Sequence, residues 1–287
     1  MQQTTASKIC LITGATSGIG YVTARELAAK GMAVTIVGRD PAKTQAAAER
    51  IQRETGNNQG DFLVADLSSQ AEVRRLADDF AQRHERLDVL LNNAGAMFTA
   101  RQQSADGIEM TFALNQLAPF LLTHLLLNTV KASAPARIVV VGSDAHNGAR
   151  NNFDDPQQQR RGYSGLRAYN ESKLANIMFT YELARRLAGT GVTANTLHPG
   201  FVASNFAHNN GGLVSFGMRL LRPIMISSER GAETSVYVAS SPEVEGVTGQ
   251  YFVKCKPARS SAASYDEAAQ RHLWELCEEL TGLSVRA

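Results

Sequence analysis

The stretch KICLITGATSGIG, residues 8–20, decides the fold class of this chain. Its first six residues form a short apolar run that is typical of a buried β-strand. The glycine-rich segment GATSGIG follows, and the next residues, 21–30, have a helical pattern that Gly31 ends. A strand that passes through a glycine turn into a helix begins a βαβ unit. The stretch therefore predicts a parallel sheet whose strands are joined by helices.

The rest of the chain repeats this alternation of strand and helix. Asp40 and Pro41 have the residue types of an N-cap and a first helical position, which predicts a second helix that runs to Gly56. The predicted strands are nearly continuous apolar runs, which is typical of a parallel sheet covered by helices on both faces. We therefore predict a single-domain, Rossmann-type, doubly wound α/β fold of about seven strands over residues 1–287. These strands, with their exit loops, are expected in 8–13, 33–38, 61–66, 86–95, 137–143, 192–200 and 250–253.

Three segments depart from this pattern. A long helical region, residues 108–131, contains Pro119, which is expected to kink it. Residues 144–165 are polar and predict a surface insertion. Residues 201–227 are apolar and punctuated by glycines, which is typical of a substrate lid or binding loop. An apolar lid core or a subunit contact explains this last segment equally well.

Composition excludes several classes of function. The chain carries 29 Lys and Arg against 27 Asp and Glu, so its net charge of +2 favours neither nucleic acid nor an anionic membrane. The N-terminus lacks an apolar signal core, and no run approaches the ~18 apolar residues of a membrane-spanning helix. The three cysteines are widely spaced and form no CxxC pair, which suits a reducing compartment better than disulfides or a zinc site. We therefore expect a cytoplasmic protein with no nucleic-acid partner, no membrane span and no metal.

The glycine-rich loop predicts a nucleotide site. Gly14 permits a tight turn, and Gly18 and Gly20 allow close backbone approach and helix packing. The helix that follows offers N–H groups and the positive end of its dipole to a pyrophosphate. The spacing differs from the GxGxxG fingerprint, so the prediction depends on the position between first strand and first helix. The expected cofactor contacts in this loop are Gly14, Thr16, Ser17, Gly18, Ile19 and Gly20.

The end of the second predicted strand indicates which nucleotide binds. NAD(H) sites usually place an acidic residue there for the ribose hydroxyls. This chain has Gly38 at that point, followed by Arg39, and Lys43 lies one turn into the helix. Two cations without a carboxylate suit the 2′-phosphate of NADP(H), which we expect in preference to NAD(H). The alternative is that Arg39 and Lys43 are simply exposed residues at the start of a helix.

Three further strand ends carry groups that could contact a ligand. Asp66, followed by Leu67, ends the third strand and could contact an adenine or cap the next helix. Asn93, Ala94 and Gly95 follow the fourth strand, and their small or amide side chains suit close packing against a cofactor. Ser143 ends the fifth strand and could hydrogen-bond a substrate oxygen. Ligands of open α/β sheets bind at this carboxyl edge, which favours a shared site.

The segment AYNESKLANIMF, residues 168–179, contains the candidate acid/base group. Tyr169 and Lys173 are four residues apart, so a helix places both side chains on one face. A nearby ammonium favours a phenolate and is expected to lower the pKa of the tyrosine. Tyr169 is therefore a candidate proton donor and acceptor near neutral pH. Alone, the pair is more typical of an ordinary amphipathic helix that carries an aromatic residue and a lysine.

Together, these motifs resemble the short-chain dehydrogenase/reductase family. Within that family, GRDPAK after the second strand and the C-terminal HLWELCEELTGL resemble the retinol-dehydrogenase-like branch. So does the wide gap between Ser143 and Tyr169. The matching segments, in the family's order, are TGATSGIG (13–20), NNAG (92–95), Asn115, Ser143, Tyr169-x-x-x-Lys173 and HPG (198–200).

The resemblance implies a role for each matching residue. Tyr169 would be the general acid in carbonyl reduction and the base in alcohol oxidation. Lys173 would lower its pKa and hold the nicotinamide ribose, and Ser143 would hydrogen-bond the substrate carbonyl. Asn115 would hold a water in a proton relay to Lys173. The nicotinamide side would be lined by Pro199, Gly200, Val202 and Ser204, the last standing where the family often has threonine.

We therefore expect an NADP(H)-dependent oxidoreductase that transfers a hydride between nicotinamide and a carbonyl or alcohol. The apolar segment 201–227 indicates a hydrophobic small-molecule substrate, such as a retinoid-, steroid- or lipid-like carbonyl. Two alternatives stay open, a catalytically silent NADP sensor or scaffold and a carbon–carbon double-bond reductase. The intact catalytic set argues against silence. The resemblance further implies a homodimer or homotetramer, although the residues themselves leave the oligomeric state open.

Overall fold

A single eight-stranded sheet forms the centre of the protein. The computed structural model describes residues 7–150, 153–160, 162–201 and 226–283. The strands are β1 (Ile9–Thr13), β2 (Ala33–Gly38), β3 (Asp61–Val64), β4 (Val89–Asn92), β5 (Ala136–Val141), β6 (Val192–His198), β7 (Tyr251–Val253) and β8 (Lys256–Ala258). Their order across the sheet is β3-β2-β1-β4-β5-β6-β7-β8, and only the β7–β8 pair of these is antiparallel. The predicted single-domain, doubly wound α/β fold is confirmed.

Helices cover both faces of the sheet. They are α1 (Gly18–Ala29), α2 (Pro41–Thr55), α3 (Gln70–Arg83), α4 (Met110–Phe112), α5 (Ala118–Leu125), α6 (Leu127–Ala132), α7 (Gly165–Arg186), α8 (Ser228–Ser240) and α9 (Glu267–Thr281). One core packs α1, α2 and α8 on the sheet, and the other packs α3, α5, α7 and α9. In β1, Leu11 faces the second core while Cys10 and Ile12 face the first. Because both faces are buried, apolar residues fill successive positions of β1 from Ile9 to Ile12 rather than every second one.

The eighth strand was not expected from the sequence. After β7 the chain reverses through Lys254 and Cys255, whose φ angles are 50° and 60°. This left-handed conformation matches the twist of a tight hairpin, but glycine or asparagine normally occupies it. The returning strand is only three residues long and contains Pro257. Neither the turn nor the strand therefore has a recognisable sequence signal.

The predicted helix over 108–131 is divided, although not by a kink at Pro119. A π-helical turn, Ala113–Leu117, separates α4 from α5, and a further break at Leu126 separates α5 from α6. Pro119 lies in the first turn of α5, where a missing N–H is tolerated. The predicted helix is therefore interrupted by the wide π-helical turn before Pro119, and the proline itself is accommodated.

The segment 144–165 is bound more tightly than its polar composition predicted. Phe153 and Gln158 are buried. The Oε1 of Gln158 accepts hydrogen bonds from the N–H of Ser164 (3.1 Å) and from the guanidinium of Arg167 (3.0 Å). The Tyr163 hydroxyl donates to the carbonyl of Phe98 at 2.8 Å. Its polar residues therefore serve internal hydrogen bonds that anchor the segment to the start of α7.

Other sequence expectations concern the apolar segment 201–227, the cysteines and membrane-spanning helices. The proposed lid, 201–227, lies mostly outside the described residues, which include only Phe201, Ile226 and Ser227 of it. All three cysteines are free thiols. Within the described ranges, no helix combines the length and apolar character needed to cross a membrane.

We expect Trp274→Ala to lower the free energy of unfolding by about 3–5 kcal/mol. The Trp274 ring is 4% exposed, packs on Phe120 and Phe179, and donates its N–H to Glu278 at 2.6 Å. Urea denaturation measures the loss. Leu166→Ala is the matched control, because that side chain is 64% exposed, and we expect it to change stability by less than about 0.5 kcal/mol. Equal losses in both variants would show that α9 is not part of the core.

Candidate active site

The predicted site residues lie at the carboxyl edge of the sheet. Because β1, β4, β5 and β6 are parallel neighbours, their exit loops start side by side at this edge. The glycine loop follows β1, and the segment from Asn93 to Ala96 follows β4. Ser143 follows β5 by two residues, and Pro199 follows β6 directly. The topology therefore brings together groups that are up to 185 residues apart in sequence (14 to 199).

The glycine loop packs against the loop after β4 without room for side chains. Gly14 has φ +67°, and a Cβ on it would lie 2.8 Å from the Cα of Ala94. A Cβ on Gly20 would lie 2.4 Å from the carbonyl oxygen of Gly14 and 2.5 Å from Nδ2 of Asn93. Both contacts are far shorter than real Cβ contacts, so only glycine fits. A ligand can therefore approach the backbone of this loop closely, as a pyrophosphate site requires.

Asn93 and Thr13 hold the two loops together. The hydroxyl oxygen of Thr13 accepts the N–H groups of Asn93 and Ala94, each at 3.0 Å. The Asn93 amide donates to the carbonyls of Thr13 (2.8 Å) and Gly14 (3.0 Å). Asn93 thus supports the glycine loop through its side chain. Thr13 was not singled out from the sequence, and its place before Gly14 at the end of a strand was the only signal.

The N-terminus of α1 is open to a ligand. Ser17 is the N-cap residue, but its side chain makes no capping hydrogen bond. Gly18 starts the helix with φ +58°, and Ile19 packs on the core beneath α1. The first N–H groups of α1 thus have no side-chain acceptor from the cap, which leaves them available to an anion.

Gly38, at the end of β2, has no space for a larger residue. A Cβ there would lie 2.3 Å from Oγ1 of Thr44 and 2.4 Å from Cγ2 of Thr16. Thr44 is fully buried, and its hydroxyl donates to the carbonyl of Asp40 at 2.6 Å. The position that carries the ribose-binding acid in NAD(H) sites therefore cannot hold a carboxylate without repacking.

Two exposed cations stand beside Gly38. Arg39 and Lys43 are both exposed. Asp40 is the N-cap of α2, as the sequence predicted, and its carboxylate accepts the N–H of Lys43 at 3.0 Å. The acidic residue nearest this edge is thus committed to the helix cap.

Asp66 and Leu67 have structural partners of their own. The Asp66 carboxylate accepts from both the N–H (3.0 Å) and the hydroxyl (2.7 Å) of Ser68. The Leu67 side chain is buried in the core. Ser69, rather than Asp66, caps α3, since its hydroxyl accepts the N–H of Glu72. The helix-capping role considered for Asp66 is therefore wrong, and its carboxylate instead shapes the turn before the cap.

Asn115 lies in the π-helical turn and is fully hydrogen-bonded. Its side chain exchanges two hydrogen bonds with the backbone of Ala96, both 2.9 Å, and donates to the hydroxyl of Ser172 at 2.9 Å. Its carbonyl accepts from the Asn176 amide at 2.6 Å. Pro119, four residues on, has no N–H to offer that carbonyl. The sequence did not single out Ser172 or Asn176, which face the site one residue before and three residues after Lys173.

Lys173 is a buried cation, 4% exposed. Its ammonium donates to the carbonyl of Val141 at 2.9 Å and to Oδ1 of Asn176 at 3.3 Å. A Cβ on Gly95 would lie 3.4 Å from Nζ and 3.3 Å from Oδ1 of Asn115. Burial lowers the pKa of Lys173 to about 8, because desolvation disfavours the charged form.

Tyr169 lies one helical turn before Lys173, as the spacing predicted, and hydrogen-bonds with the side chain of Ser143. Burial raises the pKa of Tyr169 to about 12, and the Ser143 hydrogen bond only partly opposes this. The ammonium of Lys173 is 5.7 Å from the centre of the Tyr169 ring and donates to other groups. The expected lowering of the tyrosine pKa is therefore not found in the protein alone, since desolvation outweighs the distant charge.

The remaining predicted contacts lie after β6. Pro199 is half-buried, and Gly200 has φ +93°. A Cβ on Gly200 would lie 2.5 Å from Cδ1 of Ile226, whose N–H donates to the carbonyl of Phe201 at 2.9 Å. Val202 and Ser204 lie outside the described residues.

The family model for short chain dehydrogenase matches residues 8–212. The chain belongs to the short chain dehydrogenase family. Retinol dehydrogenase 12 of Mus musculus is 42% identical over 276 residues, which cover 96% of this chain and 87% of that protein. This places the chain in the retinol-dehydrogenase-like branch and makes it an oxidoreductase that acts on CH–OH groups.

Solved structures of short chain dehydrogenases share this fold. An uncharacterized protein from Mycobacterium paratuberculosis has a TM-score of 0.78 and 34% identity, covering 96% of this chain and 93% of its own. A short chain dehydrogenase from Burkholderia cenocepacia, solved in complex with NADP, has a TM-score of 0.67 and 26% identity, covering 85% and 95%. The family uses a nicotinamide cofactor, and the glycine cradle and open α1 N-terminus fit the pyrophosphate of such a molecule.

We expect Lys173→Met to change how the free energy of unfolding depends on pH. The pKa of Lys173 falls from 10.5 to about 8 on folding, so the unfolded chain binds more protons between these values. The free energy of unfolding of the wild type therefore rises with pH across this window. The cost of burying the charged Lys173 side chain is fully present below pH 8. Relative to Lys173→Met, the wild type should gain about 2 kcal/mol between pH 7.5 and 9.5.

Urea denaturation at the two pH values measures this difference. Lys43→Met removes a lysine at the exposed start of α2 and controls for the loss of one charge. An unchanged difference between Lys173→Met and the wild type at both pH values would mean that Lys173 titrates in the folded protein as it does in the unfolded chain.

Proposed function

We propose that this short chain dehydrogenase is an NADP(H)-dependent enzyme that interconverts a hydrophobic carbonyl compound and its alcohol. The observation that carries the proposal is the arrangement of Ser143, Tyr169 and Lys173 at the carboxyl edge of the sheet. Tyr169 and Ser143 share a side-chain hydrogen bond, and Lys173 lies on the same face of α7 one turn away. The glycine loop after β1 lies further along this edge, beyond the loop after β4.

The residues of this chain divide the chemistry between them. When bound, the nicotinamide supplies or accepts the hydride. Ser143 donates a hydrogen bond to the substrate oxygen, where negative charge develops during reduction. Tyr169 donates its proton to that oxygen, and its raised pKa keeps the phenol protonated at neutral pH, the form that reduction needs. In oxidation the phenolate form of Tyr169 accepts the proton from the alcohol.

Lys173 and Asn115 complete the site in this proposal. The ammonium of Lys173 holds the nicotinamide ribose and places a positive charge one helical turn from Tyr169, 5.7 Å from the centre of its ring. Asn115 keeps the wide turn next to Lys173 in place through Ala96 and Ser172. Of the cofactor contacts proposed from the sequence, Gly95 lies against both Lys173 and Asn115.

The NADP(H) preference rests on the end of β2. The crowding of Gly38 by Thr16 and Thr44 leaves no place for a ribose-binding carboxylate. Asp40 is engaged as a helix cap, while Arg39 and Lys43 are exposed and free to approach a 2′-phosphate. The Burkholderia cenocepacia relative was solved with NADP, which agrees with this preference.

The substrate proposal rests on relatives and composition. Two relatives that are 42% identical in sequence to this chain are named retinol dehydrogenases, whose named substrate is an apolar alcohol. The segment 201–227 of this chain is apolar and rich in Phe, Leu, Ile and Met. We therefore propose retinoid- or lipid-like aldehydes and ketones as the class to test first.

We expect Tyr169→Phe to lower kcat by at least about 100-fold while leaving the dissociation constant for NADPH within about twofold. The phenyl ring keeps the packing on α7 and loses only the proton donor. Turnover is followed at 340 nm with a panel of aldehydes and ketones that includes all-trans-retinal. NADPH binding is followed by fluorescence. Near-normal turnover in the variant would exclude Tyr169 as the acid/base group, and a wild type that binds NADPH without any turnover would favour an NADP sensor.

We expect Arg39→Ala to weaken NADPH binding by about tenfold and NADH binding by less than about twofold, because only the former carries a 2′-phosphate. Fluorescence titration of both cofactors measures the two effects. Arg53→Ala is the matched control, since Arg53 is an exposed arginine at the other end of α2. Tighter binding of NADH than NADPH by the wild type would contradict the proposed preference.

A further inference from the structure

We propose that His146 and His198 are positioning residues that together hold the peptide group carrying Ser143. That peptide group consists of the carbonyl of Ser143 and the N–H of Asp144. The His146 ring binds the carbonyl at 2.7 Å through Nδ1, and the His198 ring binds the N–H at 3.1 Å through Nδ1. Both ends of one peptide plane are thus tied to imidazoles. The inference rests on the proposed role of Ser143 toward the substrate.

Each partner of His146 fixes its tautomer. The N–H of Ser261 donates to Nε2 at 3.0 Å, so Nε2 carries no proton. A carbonyl can only accept, so Nδ1 carries the proton and donates it to Ser143. The ring is 1% exposed and packs edge-on against Tyr251, with centroids 5.1 Å apart. His146 therefore links the catalytic loop to the segment before α9 in a single orientation.

His198 has the complementary tautomer. It is the last residue of β6, and its Nδ1 accepts the N–H of Asp144, so this nitrogen carries no proton. One histidine thus donates to the peptide group, and the other accepts from it. Burial lowers the pKa of both rings, and this effect outweighs the negative charge of Asp144, which raises the pKa of each. Both rings therefore stay neutral at physiological pH, as the two tautomers require.

The orientation of this peptide decides where the Ser143 hydroxyl points. Ser143 is extended, with φ −163° and ψ 152°, and its Oγ accepts the N–H of Ala145 at 3.2 Å. Because that oxygen accepts from the backbone, its own proton is left for Tyr169 or a substrate oxygen. Rotation of the 143–144 peptide would move the N–H of Ala145 and release Oγ. The two histidines therefore act on the reaction through Ser143, two residues beyond the carbonyl that binds Lys173.

Asparagine and leucine provide matched substitutions at both positions. Asparagine offers an N–H in place of Nδ1 of His146 and an oxygen in place of Nδ1 of His198, so it conserves both roles. Leucine has a similar volume and offers neither group. We expect His146→Leu and His198→Leu each to lower kcat by about tenfold, with KM and the NADPH dissociation constant within about twofold. The corresponding asparagine variants should recover most of the loss.

Combining His146→Leu with Ser143→Ala distinguishes a role in positioning Ser143 from a general effect on the stability of the protein. If the histidines act through Ser143, adding His146→Leu to Ser143→Ala should lower kcat no further, because residues in one chain of action are not additive. A purely structural role would lower kcat by the same factor in both backgrounds. His84→Leu, at the far end of α3, is the control for loss of a half-buried histidine. Thermal melting shows that each variant is folded.

The possible outcomes distinguish the inference from the proposed function. If Ser143→Ala turns over normally, or the wild type turns over no carbonyl in the panel, the proposed function fails. If Ser143→Ala is impaired but the leucine variants are not, the positioning role fails. Nitrogen-15 spectra of the histidine rings give a readout independent of activity. We expect an Nδ1–H tautomer for His146 and an Nε2–H tautomer for His198, and any other pair overturns the inference.

Discussion

The site depends on one buried ammonium, that of Lys173. Removing a cation from water costs several kcal/mol, and two acceptors offset this cost, the carbonyl of Val141 and the side chain of Asn176. The first acceptor belongs to the end of β5 and the second to the next turn of α7. The bond to Val141 ties α7 to the end of β5, and the bond to Asn176 orients the ammonium within α7. Tyr169, one turn earlier on the same face, is placed by the same contacts.

A wide turn on the neighbouring element makes this arrangement possible. Pro119 cannot donate an N–H to the carbonyl of Asn115, and the π-helical turn at Ala113–Leu117 bends the chain there. The Asn176 amide donates to that carbonyl while its oxygen accepts from Lys173. Asn115 in turn holds the backbone of Ala96 with its side chain. Asn176 and Asn115 together therefore connect the buried cation to the loop after β4.

The sequence predicted the sheet, most element boundaries and the residues at its carboxyl edge, because each depends on local residue types. Strand β2 was located residue by residue, because its β-branched run is a local signal. The hairpin to β8 was missed because Lys254 and Cys255 adopt a conformation that their types disfavour. The pKa of Tyr169 was assigned the wrong direction for the protein alone. The spacing of Tyr169 and Lys173 indicates that a charge lies near the phenol. The burial that raises the pKa of Tyr169 depends on how the whole sheet edge packs, which spacing does not reveal.

The residues to which no role was assigned from the sequence share one property, which is that they act on backbone rather than on ligand. Each of them hydrogen-bonds a main-chain group near the carboxyl edge of the sheet; they are Thr13, Asn176, His146 and His198. Such roles leave no pattern in spacing, because the partner backbone can belong to any residue type. A buried polar group of this kind is costly when one partner is lost, so the hydrogen-bonded arrangement is strongly favoured over alternatives. These hydrogen bonds hold the loops of the candidate site in place without any ligand, and a site arranged in advance needs little reorganisation when its ligand binds.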